Sequence, residues 1–206
     1  MPRLSSRPRA SVLLGAVLAA LSLACASSSG GDVPATYPPL EASDFGSMNN
    51  VSVAGPLWIG SMPTAEDLEL AQRRGIEKVI DLSVPSEPRT VDVPSECRML
   101  GLEYATAGLV DEDLLTTEAV DLFLAELDGE KLPPTLMFCG TGSRCAMFLA
   151  IYRATRLDVP LEDALVEARR AGMEAGAPTA FVRSEVERLL GTAEGEPLAQ
   201  SDLALE

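Results

Sequence analysis

The sequence predicts an α/β domain in which helices flank a central, mostly parallel sheet. Two observations lead to this prediction. Short apolar runs bounded by turn residues, such as 78–82 and 136–138, have the length and composition of buried strands. Segments with the apolar spacing of helices separate these runs, so strands and helices alternate along the chain.

The first half of the domain contains four predicted strands and two helices. Thr64 is placed to cap the first helix, Glu66 and Asp67 suit its first turn, and Gly75 ends it. The Pro- and Glu-rich segment 85–94 is predicted to be a loop. The predicted elements are strands at 51–53, 57–59, 78–82 and 103–106, and helices at 64–75 and 95–100.

The second half contains one predicted strand and four helices. Either Thr116 or Thr117 caps the first of these helices, and Gly129 terminates it. The predicted elements are a strand at 136–138 and helices starting at 116 or 117 and at 144, 161 and 178. In sheets of this class, ligands bind beyond the carboxyl ends of strands, and Cys139 lies at such a place.

The N-terminus has the features of an export signal. Arg3, Arg7 and Arg9 precede an uncharged apolar run over 10–24, which is too short for a permanent membrane span. The run ends at Ala24-Cys25, which resembles the lipobox of bacterial lipoproteins. We therefore expect a signal peptide at 1–25, lipidation of Cys25 and a membrane-anchored protein of the cell envelope, by resemblance on the periplasmic side of the outer membrane. The alternative is cleavage at the A-x-A pattern of 24–26, which would release a soluble periplasmic protein.

The rest of the chain divides into three predicted parts. These are a flexible linker at 26–47, a folded domain at 48–191 and an acidic, disordered tail at 192–206. The domain has the size of a single folding unit, and we expect a monomer.

The charge and the absence of histidine exclude several classes of function. The chain has 16 Lys+Arg against 31 Asp+Glu and no His. Without the first 25 residues, 13 basic residues remain and the net charge becomes −18. Such a surface repels nucleic acid, so we expect no nucleic-acid partner. The lack of histidine rules out an imidazole base and the common zinc sites, and we expect neither a metal nor a cofactor.

The segment Cys139-Gly-Thr-Gly-Ser-Arg144 carries the chemistry. A buried strand delivers Cys139 to its end, the glycines let the backbone N–H groups turn inward, and the next helix points its positive dipole end at the same place. A thiol held there has a lowered pKa and is nucleophilic. Arg144 can bind an anion with its planar guanidinium. The expected anion-binding residues are Gly140, Thr141, Gly142, Ser143 and Arg144.

The segments 55–68, 74–82 and 139–144 together resemble the dual-specificity-type cysteine phosphatases. Within that superfamily the chain is most similar to small bacterial phosphatase-like domains, also found attached to beta-lactamase-like hydrolases, that share its short C-x4-R loop. The resemblance extends over about 51–173. It implies a cysteine-phosphatase-like fold and a phosphorylated small molecule or phosphoprotein as the partner.

The resemblance also implies roles for individual residues. Cys139 would form a phosphocysteine intermediate, and Arg144 with the loop amides would bind the phosphoryl oxygens. The general acid would come from the acidic segment 111–113, with Asp111 as the first candidate and Asp113 as the second. The alternative for these acidic residues is that they only favour the start of the following helix.

Two further functions remain open from the sequence. The loop also resembles that of rhodanese-type sulfurtransferases, in which Cys139 would carry a persulfide taken from a sulfur donor. The domain could instead be a non-catalytic module that binds anions or phosphoproteins. The chain departs from the phosphatase pattern at Phe138, where histidine is usual, and at Cys145, where serine or threonine is common. Cys145 is either a packed helix residue or a reversible disulfide partner of Cys139, and Cys97 is expected to be buried structure.

Overall fold

The computed structural model describes residues 38–110, 115–129 and 131–193. The strands found there are β1 Glu41–Ala42, β2 Ser52–Ala54, β3 Leu57–Gly60, β4 Lys78–Asp81, β5 Glu103–Thr106 and β6 Thr135–Phe138. The helices are α1 Ala65–Arg73, α2 Val93–Leu100, α3 Thr117–Leu127, α4 Ser143–Arg156, α5 Leu161–Arg170 and α6 Ala177–Ala193.

The six strands form one mixed sheet in the order β1-β2-β3-β6-β4-β5. β1, β2 and β3 are antiparallel neighbours, and Gly55, with φ of 59°, supports the tight turn from β2 to β3. The four strands β3, β6, β4 and β5 pair in parallel. The predicted α/β class is therefore confirmed, with β6 at the centre of the parallel part.

The start of the sheet was not predicted. β1 lies in the segment predicted to be a linker, and Phe45, just after it, is 1% exposed. The Phe45 ring packs edge-on against Trp58 with centroids 5.3 Å apart, and the Arg74 guanidinium lies 4.7 Å from the Phe45 centroid. Two residues of strand pairing are too short to give a periodic signal, so the linker pattern of prolines dominated the prediction.

Helices pack on both faces of the sheet, and the alternation of strand side chains decides which residues face which layer. Met137 belongs to the core beneath α3, α4, α5 and α6. Leu136 and Phe138, its neighbours in β6, belong to the second core, beneath α1 and α2. Successive side chains of a strand point to opposite faces, so β6 is buried between two helical layers.

The helix boundaries follow local capping chemistry. Thr64 accepts a hydrogen bond from the Asp67 N–H, and the Asp67 carboxylate accepts one from the Thr64 N–H, which completes a capping box at α1. Of the two candidates for α3, Thr116 is the cap. α2 begins two residues earlier than predicted because Asp92 caps it and Pro94 is accommodated in its first turn.

Helix α4, which begins within the predicted anion loop, is deeply buried. An unbroken run from Cys145 to Ala154 is buried. α4 packs against α5, α6 and β3, so its N-terminus is fixed by the core on several sides. Within the described residues, no helix combines the length and the apolar character that a membrane span requires.

Candidate active site

The candidate site lies at the carboxyl end of the central strand. Phe138, the last residue of β6, pairs with Gly60 of β3 and Asp81 of β4. All four residues of β6 are buried, so the strand fixes the position of the next residue, Cys139. The segments that follow β3, β4 and β6 therefore meet at one edge of the sheet, as expected for a ligand site in an α/β fold.

The surroundings of Cys139 favour its thiolate form. Its side chain is 1% exposed, and its Sγ accepts a hydrogen bond from the Gly142 N–H at 3.1 Å. The pKa of Cys139 is lowered to about 6, chiefly by a hydrogen bond from the Cys145 thiol. Burial opposes this shift, while backbone N–H groups and the charge of Arg144 support it. At neutral pH the sulfur is therefore mainly ionised.

Cys145 is the protonated partner of this pair, and its Sγ also lies 4.0 Å from the Gly60 carbonyl oxygen. It is fully buried in the first turn of α4, and burial raises its pKa well above the ordinary value, with the neighbouring Cys139 adding to the shift. Its proton therefore remains on sulfur while Cys139 is ionised. Cys97, Cys139 and Cys145 are all free thiols, and burial raises the pKa of Cys97 to about 11.

Position 142 needs a glycine because of its backbone conformation, whereas position 140 needs one because a neighbouring side chain leaves no room for a Cβ. Gly142 has φ of 90° and caps α4, and a Cβ there would lie 3.2 Å from the carbonyl carbon of Gly60. Gly140 has no positive φ, contrary to the expectation that both glycines serve unusual backbone conformations. A Cβ on Gly140 would instead lie 2.5 Å from Oε1 of Glu87.

Glu87 is the residue at this site that the sequence did not indicate. Its carboxylate accepts hydrogen bonds from the Gly140 N–H at 3.2 Å and from Nη1 and Nη2 of Arg144, both at 3.3 Å. It also accepts from the Val84 N–H at 3.0 Å. Arg144 is further held by the Leu82 carbonyl, at 2.6 Å from Nη1. A carboxylate of the chain itself thus occupies donors that were predicted to bind an external anion.

A buried polar cluster fixes the segment that carries Glu87. Asp81, at the end of β4, is 2% exposed and accepts hydrogen bonds from the Ser83 N–H and hydroxyl. Its other oxygen accepts from Arg89 at 2.7 Å and from the Tyr104 hydroxyl at 2.8 Å. Burial and Asp81 both raise the pKa of Tyr104, which keeps the hydroxyl protonated as a donor.

A cavity of about 440 Å³ opens above the loop, a volume that suits a small ligand. The loop residues Cys139, Thr141, Ser143 and Arg144 form one side of it. Glu87 and the exposed Glu174, from the connection between α5 and α6, also line it. The cavity lies directly over the thiolate, so a ligand in it would reach Cys139.

The predicted loop residues are brought together, and other predicted residues lie outside the described part of the chain. The backbone of 139–144 curves around Cys139, and Asn50 Nδ2 donates to the Thr141 carbonyl at 2.8 Å, which ties the loop to the β2 side of the sheet. Asp111, Glu112 and Asp113 lie outside the described residues, as does Cys25. In the described ranges, no three His, Cys, Asp or Glu side chains are grouped so that they could hold a metal ion.

Sequence reasoning missed Glu87, Glu174 and Asn50 for the same reason. Each lies far from the loop in sequence: 53 residues separate the hydrogen-bonded Glu87 and Gly140 and 91 separate Asn50 and Thr141, while Glu174 only lines the same cavity. The loop itself is contiguous and was therefore visible. One signal was present for Glu87, since it lies in the loop after a buried strand parallel to the strand that leads to Cys139.

The chain matches no protein-family model and no curated protein. Solved structures do match. A phosphatase-like DUF442 protein of Shewanella putrefaciens CN-32 has a TM-score of 0.59 at 19% identity, over 69% of this chain and 95% of that one. The catalytic core of the PP-IP phosphatase Siw14 from S. cerevisiae has a TM-score of 0.55 at 19% identity, over 76% and 94%. TpbA from P. aeruginosa has a TM-score of 0.53 at 23% identity, over 75% and 96%.

These neighbours share one architecture although their sequences are only distantly similar to this chain. The described domain spans nearly the whole length of each of them. The resemblance stated from the sequence is therefore confirmed at the level of the fold: this chain has the fold of the cysteine-dependent phosphatases.

Proposed function

We propose that the chain hydrolyses phosphate monoesters through a phosphocysteine intermediate on Cys139. One observation carries this proposal. The buried sulfur with a pKa of about 6 lies at the start of a loop that ends in Arg144 and the N-terminus of α4, where no side chain caps the backbone N–H groups. A nucleophile and positive charge for the phosphoryl oxygens thus meet beneath one cavity.

The first chemical step follows from this arrangement. Cys139 Sγ attacks phosphorus, an S–P bond forms and the P–O bond to the leaving group breaks. Arg144 and the loop N–H groups bind the phosphoryl oxygens, which requires that Glu87 releases or shares them. The leaving oxygen takes a proton from a general acid, and we propose Asp111 for this role, with Asp113 second.

The second step regenerates the thiolate. Water attacks phosphorus and gives a proton to the carboxylate that served as the general acid in the first step, the S–P bond breaks and inorganic phosphate leaves. The sulfur recovers its electron pair, and the Cys145 thiol is placed to stabilise it by donating a hydrogen bond. Cys145 would thus supply the donor that a serine or threonine provides in related phosphatases.

The proposed partner is a phosphorylated molecule. A Cys-to-Ser variant of P. aeruginosa TpbA has been solved in complex with phosphotyrosine, and it has the same fold as this chain, with a TM-score of 0.53. We extend this class of ligand to the present chain because its cavity lies over Cys139 and Arg144.

We further propose that the domain works outside the cytoplasm, with export directed by residues 1–25, lipidation at Cys25 and the part of the linker that precedes β1 as the tether. Fractionation of cells that express the chain or its Cys25→Ala variant tests this. The anchored form should be in the membrane fraction and the variant should not. If both are soluble in the periplasm, cleavage without lipidation is correct.

Hydrolysis of p-nitrophenyl phosphate by the purified, reduced chain tests the catalytic proposal. The matched controls are Cys139→Ser, which keeps the size of the side chain, and Arg144→Lys, which keeps the charge but not the bidentate geometry. We expect turnover that Cys139→Ser abolishes and Arg144→Lys reduces by at least about a hundredfold. Activity that survives in Cys139→Ser would refute the proposal.

A rhodanese-like sulfurtransferase is the second candidate. It is favoured because the loop 139–144 has six residues and because Glu87 already pairs with Arg144, which a phosphatase would need for the phosphoryl oxygens. Incubation with thiosulfate and intact mass measurement would then show one added sulfur on the chain and none on Cys139→Ser. A binding module without catalysis would show stabilisation by inorganic phosphate in a thermal scan, with no turnover in either assay.

A further inference from the structure

The charges that line the cavity nearly cancel around the phosphoryl position and leave an excess of negative charge beside it. Arg144 is the only basic residue among the cavity-lining residues that the structure describes. Glu87 lies 3.3 Å from its guanidinium, so most of that positive charge is already balanced. Glu174 adds a second carboxylate to the lining, and it has no ion-pair or hydrogen-bond partner among the described residues.

The rest of the lining is apolar. Leu115, Met147, Ala177 and Pro178 complete the wall of the cavity. Leu115 and Pro178 are partly exposed and Met147 is buried, so together they form an apolar surface that continues from the loop toward solvent. Such a wall gains free energy against the apolar or aromatic part of a ligand and offers no charged partner for a second phosphate.

Two basic residues of α5 and α6 lie near the cavity but do not line it. Arg169 and Arg183 line a different surface depression, beside the start of α6. Arg183 is paired there with Glu162. The chain as a whole carries a net charge of −15, so the long-range field also opposes the approach of a polyanion.

We infer that the pocket selects monoesters in which one phosphoryl group is attached to an apolar or aromatic group, and discriminates against polyphosphorylated substrates. This inference rests on the proposed function and adds the substrate class to it. The fold alone does not make this choice, because its neighbours include both a PP-IP phosphatase and a protein solved with phosphotyrosine. The charges that line the cavity of this chain favour a ligand with a single phosphoryl group, such as phosphotyrosine. Glu174 is the residue that determines this specificity.

Two phosphotyrosine peptides that differ only in charge test the inference. One has serines on either side of the phosphotyrosine, and the other has phosphoserines at the same positions, so the leaving group is identical. The full-length chain should hydrolyse the first with a kcat/KM at least about tenfold higher at low ionic strength. The ratio should shrink as salt is raised, because screening weakens repulsion between solvated charges.

Charge-reversal variants locate the effect. Glu174→Lys should reduce the ratio between the two peptides by at least about fivefold. Glu187→Lys is the matched control, since Glu187 is exposed and lies nine residues beyond Pro178 on α6, about 14 Å farther along the helix axis. This control should leave the ratio unchanged. Equal ratios in Glu174→Lys and in the unsubstituted chain would overturn the role of Glu174.

Calorimetric binding of both peptides to the Cys139→Ser variant separates the inference from the proposed function. If the unsubstituted chain hydrolyses neither peptide but the variant binds the serine-flanked one about tenfold more tightly, the catalytic proposal fails and the charge selection stands. If both are hydrolysed and the phosphoserine-flanked peptide binds equally well or better, the selection fails and the phosphatase proposal stands.

Discussion

The Glu87 carboxylate lies against the Arg144 guanidinium, with Oε1 3.3 Å from Nη2, and the same carboxylate accepts the Gly140 N–H. These are two of the donors that an oxyanion at Cys139 would use. The free site therefore contains an internal competitor for the ligand, held in place by its own segment between β4 and α2.

Glu87→Gln should strengthen the binding of oxyanions. The amide keeps the shape of the side chain but removes the negative charge that balances Arg144 and competes with the ligand. Inorganic phosphate should inhibit the variant with a Ki roughly five- to tenfold lower than that of the unsubstituted chain. The measurement is competitive inhibition of p-nitrophenyl phosphate hydrolysis, with Glu187→Gln as the control. A Ki that rises in Glu87→Gln would mean that Glu87 chiefly orients Arg144.

Gly140→Ala should destabilise the domain through Glu87 rather than through backbone strain. The new Cβ would lie 2.5 Å from Oε1 and 2.8 Å from Cδ of Glu87, so the carboxylate must leave its position. We expect a loss of about 1–3 kcal/mol in the free energy of unfolding, measured in urea. Gly191→Ala is the control, because nothing lies within 4 Å of its added Cβ. Combining Gly140→Ala with Glu87→Ala should recover much of the loss, and additive losses would contradict this explanation.

The pH dependence of catalysis should report the hydrogen bond between the two cysteines. Under the proposed mechanism only ionised Cys139 is a nucleophile, so the acidic limb of the kcat/KM profile should rise with pH, with a midpoint near the pKa of about 6. Cys145→Ala removes the largest cause of the lowered pKa. The midpoint should therefore move to higher pH, with the greatest loss of activity at the acidic end. Cys145→Ser restores a donor and should return the midpoint toward that of the unsubstituted chain; superimposable profiles for all three proteins would rule out this role.

Asp81→Asn should destabilise the domain more than Tyr104→Phe does. The carboxylate is 2% exposed and pairs with Arg89, so its neutralisation leaves a partly buried guanidinium without its counter-charge. We expect a loss of about 3–5 kcal/mol, against about 1 kcal/mol for Tyr104→Phe, which removes one hydrogen bond. Urea denaturation of both variants checks this. Losses of equal size would show that the cluster is not centred on Asp81.

The features that could be predicted from the sequence are those whose residues are neighbours in the chain. The strand before Cys139, the glycines, Arg144 and the helix after them are neighbours in the chain, so their chemistry was readable without a structure. The α/β class followed from alternating periodicities, and capping residues placed most helix starts within two residues.

What the sequence left out depends on contacts between distant segments. Glu87 was assigned only to a Pro- and Glu-rich loop, because nothing in its neighbourhood shows that it reaches Arg144 across 57 residues. The sequence suggested that Gly140 provides backbone freedom, whereas in the structure a glycine is needed there because Glu87 lies against it. The assignment of Asp111 as the general acid stays a prediction, since 111–114 lie outside the described residues.

The burial of β6 and α4 also determines which part of the site can move. Both ends of the 139–144 loop are held in the core, so we expect the loop to keep its shape when a ligand binds. Glu87 belongs instead to a surface connection, with 21% of its side chain exposed. A ligand that binds Arg144 must therefore displace this carboxylate, and we expect substitutions in 83–92 to change the association rate of the ligand rather than the shape of the loop.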